Sequence, residues 1–286
     1  MDALWKGITR DEPVLVAALV DTNAVGEARS LHGTCPTATA ALGRVLSGAL
    51  LLSSLLKHGQ KVLLQVSGTG PLQSVVAEAD WAGNVRGYAK RTRIDRPLRD
   101  GKPDVGGAIG EGFLNVIKDL GVREYYRGCV PLQTGEIARD LAYYLNASEQ
   151  IPAAVSLGGY IDGEDSVRAS GGFLIHPLPG TSEEAIAYLE RRLAGVRPVS
   201  EMVLAGMGPG EIMEEAVGAP VDVRDRKSVS YHCPCTRERV LDSLAALGRR
   251  EIEDMVRKGE TVDVDCRFCR ASYEVPVPEL RSLLEA

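Results

Sequence analysis

Two close cysteine pairs, Cys233-Pro-Cys235 and Cys266-Arg-Phe-Cys269, stand thirty residues apart and restrict the C-terminal part of this chain more than any other feature. Four soft sulfur donors in two short spans suit a tetrahedral zinc site, because each pair grips two corners and the intervening fold brings the pairs together. Between them Val240, Leu241, Leu244 and Leu247 recur at helical spacing up to Gly248, and REIEDMVRK predicts a second helix stopping at Gly259. TVDVD then alternates like a strand, CRFC makes a hairpin tip, and SYEVPV returns. A segment of fewer than about 60 residues buries too little apolar surface to rely on a core alone. Structural zinc contributes on the order of 10 kcal/mol or more to such small domains. The expectation is one zinc ion held by the thiolates of Cys233, Cys235, Cys266 and Cys269, with folding tied to metal occupancy. The spacing alone leaves two roles open, an inert zinc knuckle or a cluster that loses its metal when the sulfurs are oxidised.

Composition narrows the partners. The chain has 286 residues, 44% hydrophobic and 25% charged, with a net charge of −6, which describes a soluble globular protein repelled by phosphate backbones and anionic membranes. From Tyr231 onward nine basic residues face eleven acidic ones, the wrong sign for a phosphate-reading zinc finger. The basic stretch Arg86 to Lys102 carries seven basic and two acidic residues with one aromatic, Tyr88, and reads as a solvated loop between strands. No apolar signal region opens the chain, so nothing marks it for export, and six cysteines should stay reduced. The longest apolar run, ALGRVLSGALLLSSLLK, is interrupted by Arg44 and is expected as a buried helix rather than a membrane span.

Three regions follow from periodicity. Residues 1–179 read as an α+β domain with a mixed sheet and helices. Pro13 to His32 is strand-like, a helix runs from Pro36 toward Gly59, and KVLLQVSG, LQSVVAEAD and NVRGYAK form a meander. Further strands are expected at GFLNVIKDL and EYYRGCVPL, a helix at GEIARDLAYYL, and a hairpin turning at Gly163 to Asp165. Residues 180–230 read as a helical linker: Ile186, Leu189 and Leu193 line one helix, SEMVLAG and PGEIMEEAVG give shorter ones, and VDVRDRKSVS is featureless. With little apolar surface of its own, the linker must lean on a neighbour. Residues 231–286 form the zinc domain. Cys35 beside Pro36 is expected as a helix N-cap and Cys129 as a small buried strand residue.

The cysteine order, with CTRERVLDSLAALGRREIEDM between the pairs and CRFCRASYEV after them, resembles the thirty-three-kilodalton heat-shock protein family of redox-regulated holdase chaperones. ALGRVLSGALLLSSLLK, GNVRGYAK, YYLNASEQIP and GGFLIHPLPG are similar to that family's N-terminal domain, so the likeness spans the chain. The resemblance implies a cytoplasmic protein, inactive while reduced and zinc-bound. It implies activation through disulfides Cys233–Cys235 and Cys266–Cys269 with release of zinc. Linker unfolding, a homodimer in the active state and ATP-independent binding of unfolding client proteins are implied as well. No catalytic triad, paired carboxylates or phosphate loop stands out, so no enzyme activity is expected. The competing reading from another class is a thiol-disulfide oxidoreductase using the same cysteines.

Overall fold

A computed structural model describes residues 1–94, 96–99, 101–162 and 166–285, and the described chain falls into two compact units, Met1–His232 and Cys233–Ala286. The expected turn at Gly163 to Asp165 lies outside the described residues.

The first unit begins with strands β1 (Ala3–Thr9) and β2 (Val14–Val20), then helices α1 (Thr22–His32) and α2 (Pro36–Ser53). The strand-like texture of Pro13 to His32 is therefore correct only to Val20. Ala24, Val25 and Ala28 make a narrow buried strip on α1, too thin to announce a helix, and Gly33 closes it in the left-handed conformation at φ 57°. The meander follows as β3 (Lys61–Gly68), β4 (Ser74–Asp80) and β5 (Asn84–Ala89). After the short helix α3 (Val105–Ile109) come β6 (Gly112–Asp119), β7 (Tyr126–Pro131), α4 (Ala138–Glu149), β8 (Ala154–Ile161) and β9 (Val167–Pro177).

The linker residues supply α5 (Glu183–Leu193), α6 (Val199–Leu204) and α7 (Pro209–Val217), as their periodicity predicts. VDVRDRKSVS is not featureless. It forms β10 (Val221–Ser228), with β11 (Ser230–Tyr231) directly after it. Its charged residues hide the alternation, and the ladder to β1, which pairs Ala3 with Ser228 and Thr9 with Val221, makes it a strand.

These strands build two sheets rather than one. The first is antiparallel in the order β10-β1-β2-β9-β8; the second runs β11-β5-β4-β3-β6-β7, with β11 parallel to β5 and the other pairs antiparallel. Helix α2 lies between them. Its Ala41, Leu42, Val45, Leu46, Ala49 and Leu50 are fully buried in one core with Leu19 and Leu174 of the first sheet and Val62, Leu64 and Val75 of the second. Arg44, the one charged residue of α2, pairs with Glu136.

The far face of the first sheet carries Val14, Val16, Ala18, Phe173 and Ile175 and is covered by Leu189, Val199, Met202, Ile212, Met213 and Val217 of α5 to α7. Burial on both faces explains why β2 reads as an unbroken apolar run. Residues 183–217 thus supply three helices with individually small apolar faces, stabilised by a sheet they cover.

The second unit contains α8 (Arg237–Ala245), α9 (Arg249–Lys258), the hairpin β12 (Val262–Asp265) and β13 (Ser272–Val275), and α10 (Val277–Glu285). Its buried apolar side chains are Val240, Leu244, Ile252, Val275 and Leu280. Leu247 falls beyond the end of α8 and is 54% exposed, so this small core is smaller than the sequence pattern suggests.

Candidate metal centre

Both cysteine pairs sit where the local chain can hold them still. Cys233 and Cys235 precede α8, whose N-cap Thr236 accepts a hydrogen bond from the amide of Arg239. Cys266 and Cys269 occupy the turn of the β12–β13 hairpin. The turn closes through Cys266 N–H to Ala271 O at 2.8 Å and Arg270 N–H to Cys266 O at 2.8 Å, with Arg270 in the left-handed conformation at φ 62°. A clasp joins the elements around it: Arg237 on α8 donates to both carboxylate oxygens of Glu279 on α10, at 2.7 and 3.2 Å, and to Glu274 O at 2.9 Å.

The four sulfurs converge. Cys233 Sγ lies 3.7 Å from Cys266 Sγ, Cys235 Sγ lies 3.2 Å from Cys269 Sγ, and all four lie within 4.8 Å of one another. A zinc tetrahedron with Zn–S bonds of about 2.3 Å has edges of about 3.8 Å, so the Cys233–Cys266 spacing already suits one ion and the Cys235–Cys269 spacing would have to open by roughly 0.6 Å. The donor set is all thiolate, which suits a soft or borderline metal. These four cysteines can therefore hold a metal ion, and the cluster fits a zinc and redox centre.

Sequence reasoning missed the surrounding donors. Tyr273 on β13 directs its hydroxyl to Cys235 Sγ at 3.2 Å, and the amide of Ala271 donates to Cys269. Burial opposes ionisation of Cys235, but hydrogen bonds from Tyr273 and the neighbouring thiols outweigh it and bring Cys235 down to about 7. Burial pushes Cys269 up to about 12, and its hydrogen bonds to the other sulfurs add to that against the opposing Ala271 amide. Donation to Cys235 also holds the Tyr273 hydroxyl at about 12. Of the pair Cys235 and Cys269, Cys235 is therefore the one that ionises first. In hindsight the signal was the alternation in SYEV, which puts Tyr273 on the cysteine side of the hairpin.

The two remaining cysteines are separate from this cluster. Cys35 is the N-cap of α2 and donates from Sγ to Ile94 O at 3.5 Å, while the nearby His32 Nε2 lies 3.3 Å from Tyr231 Oη. Cys129 is exposed, contrary to the expectation of a buried residue. It lies on β7, the edge strand of the second sheet, and its neighbour Val130 takes the inward position instead. Within the basic stretch, Arg86 pairs with Glu78 and Arg96 with Asp104, so part of its charge is locally neutralised.

The model of the Hsp33 protein family matches residues 2–276. The chain belongs to the Hsp33 family. It is 54% identical to the 33 kDa chaperonin of Thermodesulfovibrio yellowstonii, with 99% of each chain covered. It is 38% identical to the 33 kDa chaperonin of Bacillus subtilis, covering 99% of this chain and 98% of that one. The crystal structure of the 33 kDa chaperonin from Thermotoga maritima superposes with a TM-score of 0.88 at 34% identity, over 99% of this chain and 98% of that one. Membership of the Hsp33 family is consistent with a chaperone and supports the mixed α and β architecture. Among the described residues no helix is long and apolar enough to cross a membrane.

Proposed function

We propose that this chain is a redox-switched, ATP-independent holdase of the cytoplasm, which binds unfolding proteins once its thiolate cluster is oxidised. The observation that carries the reading is the convergence of Cys233, Cys235, Cys266 and Cys269 within 4.8 Å in a small unit of an Hsp33-family chain. In the reduced state the thiolates of Cys233, Cys235, Cys266 and Cys269 would hold one zinc ion, which when bound would supply the cross-link that the small core lacks. A peroxide oxidises each pair. Two thiolates give up two electrons, a sulfur–sulfur bond forms, and hydrogen peroxide takes those electrons together with two protons from solvent and is reduced to two waters. The bonds formed are Cys233–Cys235 and Cys266–Cys269, which would leave none of the four sulfurs as a thiolate able to hold a metal. The tight ring closed by a Cys-x-Cys bond favours re-reduction when the stress passes.

Residues 1–179 are the binding domain in this scheme, 180–230 the conditional cover and 231–286 the switch. Supporting it, α5 to α7 bury an apolar sheet face formed by Val14, Val16, Ala18, Phe173 and Ile175, which their departure would present to solvent. The active form is a homodimer, and unfolding polypeptides rather than nucleic acid or membrane are its partners. The protein carries out no turnover of its own. Aggregation of thermally unfolding citrate synthase tests this: suppression is expected at near-stoichiometric ratios and only after thiol oxidation. Equal suppression before and after oxidation would remove the switch, and substoichiometric turnover of disulfides would favour an oxidoreductase.

A further inference from the structure

Val229 to His232 fill the edge of the second sheet in an unusual way. β11 is two residues long and runs parallel to β5, pairing Ser230 with Asn84 and Tyr231 with Val85. Its backbone donates from Ser230 N to Gly83 O at 3.3 Å and from His232 N to Val85 O at 2.9 Å. The next outward-facing position of β5 is Gly87, and there the side chain of Tyr231 takes over from the backbone. Its hydroxyl donates to Gly87 O at 2.8 Å and accepts from Gly87 N–H at 3.3 Å. One phenol therefore satisfies both backbone groups that a further strand residue would otherwise pair. The ring is 8% exposed and belongs to the main core, as does Val229. Gly83, at φ 95°, allows the close approach, since a Cβ there would lie 2.3 Å from Ser228 O.

The segment occupying this edge ends one residue before Cys233. On the reading of the cluster as an oxidisable metal centre, on which this inference rests, the chain beyond His232 loses its fold when the metal leaves. Among the described residues a two-residue strand is then the sole regular pairing that keeps this edge covered. An uncovered strand edge presents a row of free N–H and C=O groups and accepts another extended chain.

We infer that the outer edge of β5, from Gly83 to Gly87, is a strand-addition site for an extended segment of an unfolded polypeptide carrying an aromatic side chain, and that Val229 to His232 occupy it in the resting protein as an internal substitute. Backbone pairing makes the site tolerant of sequence. The space vacated by the Tyr231 ring gives the preference for an aromatic residue.

Amide hydrogen exchange on the full-length protein, with chemically denatured citrate synthase as the probe, tests this alongside aggregation of the same samples. In the reduced zinc form the amides of Val85 and Gly87 should be protected. After oxidation without probe their exchange should rise at least about tenfold, and addition of the probe should restore protection. In Tyr231→Ala the Gly87 amide should exchange freely even when reduced, and the probe should again protect it. Suppressed aggregation with Gly87 unprotected by the probe, or with Gly87 equally protected before and after oxidation, overturns the strand-addition site alone. Failure of the oxidised wild type to suppress aggregation overturns the chaperone switch, and this inference with it. The wild-type series decides the matter even where the variant does not fold.

Discussion

The two units of this protein solve the same problem by different means. In Met1–His232 a helix is enclosed by two sheets, and Leu42, Leu46, Leu50, Leu51 and Leu52 are all essentially inaccessible to solvent. In Cys233–Ala286 five side chains make the buried core among the described residues, and four sulfurs stand together at the hairpin turn. Burial of apolar surface is indifferent to oxidants, whereas thiolate ligation is abolished by them. A fold that rests on its ligands can be dismantled chemically while the core around α2 in the other unit stays intact.

The largest effect that separates the units is expected from metal removal. Chelation of reduced protein should cost the second unit on the order of 10 kcal/mol, enough to unfold it, while the amides of α2 in the first unit stay protected from hydrogen exchange. Cys266→Ser should weaken metal affinity by more than about tenfold in competition with a chromophoric chelator; unchanged affinity would contradict its place among the ligands. Leu50→Ala makes the converse test. It should destabilise the first unit by about 2–5 kcal/mol in urea while leaving metal binding unchanged.

A smaller effect distinguishes the units by pH. Asp21 is completely buried, and burial pushes it up to about 7 although Ser47 donates to it at 2.7 Å. The native protein therefore keeps this proton between about pH 4 and 7, where the unfolded chain has released it. Its contribution to stability is complete below the unfolded pKa and is lost as pH rises through that window, by at most about 1.4 kcal/mol per pH unit. Asp2, also raised by burial, acts in the same direction. Asp21→Asn should flatten this decline in urea midpoints, and a slope unchanged from wild type would show Asp21 to be ionised in the native state. The smallest expected effect is at Arg249, whose exposed pair with Glu253 spans one helical turn: Arg249→Ala should change stability by no more than about 0.5 kcal/mol.

The same contrast decided what could be read from the sequence. Cysteine spacing, the α9 stop at Gly259 and the periodicity of α2, α5 and α7 are local signals, and each led to the element observed. Strand β10 was illegible because its charges mask an alternation that only pairing with β1 makes structural. Cys129 was misread because its exposure depends on β7 being a sheet edge, a fact of topology rather than of its neighbours in sequence. The site followed the same division. The four sulfurs were legible, but Tyr273, the Arg237–Glu279 clasp and the Tyr231 phenol depend on contacts between distant segments.

Hydrogen exchange across the whole chain during peroxide treatment, with zinc release followed in parallel, tests the contrast between the units most directly. The predicted result is that residues 233–286 lose protection in step with zinc release, the amides of α5 to α7 follow, and those of α2 remain protected throughout. Zinc released completely while 233–286 keep their protection would contradict the claim that ligation, and not the small core, holds the second unit together.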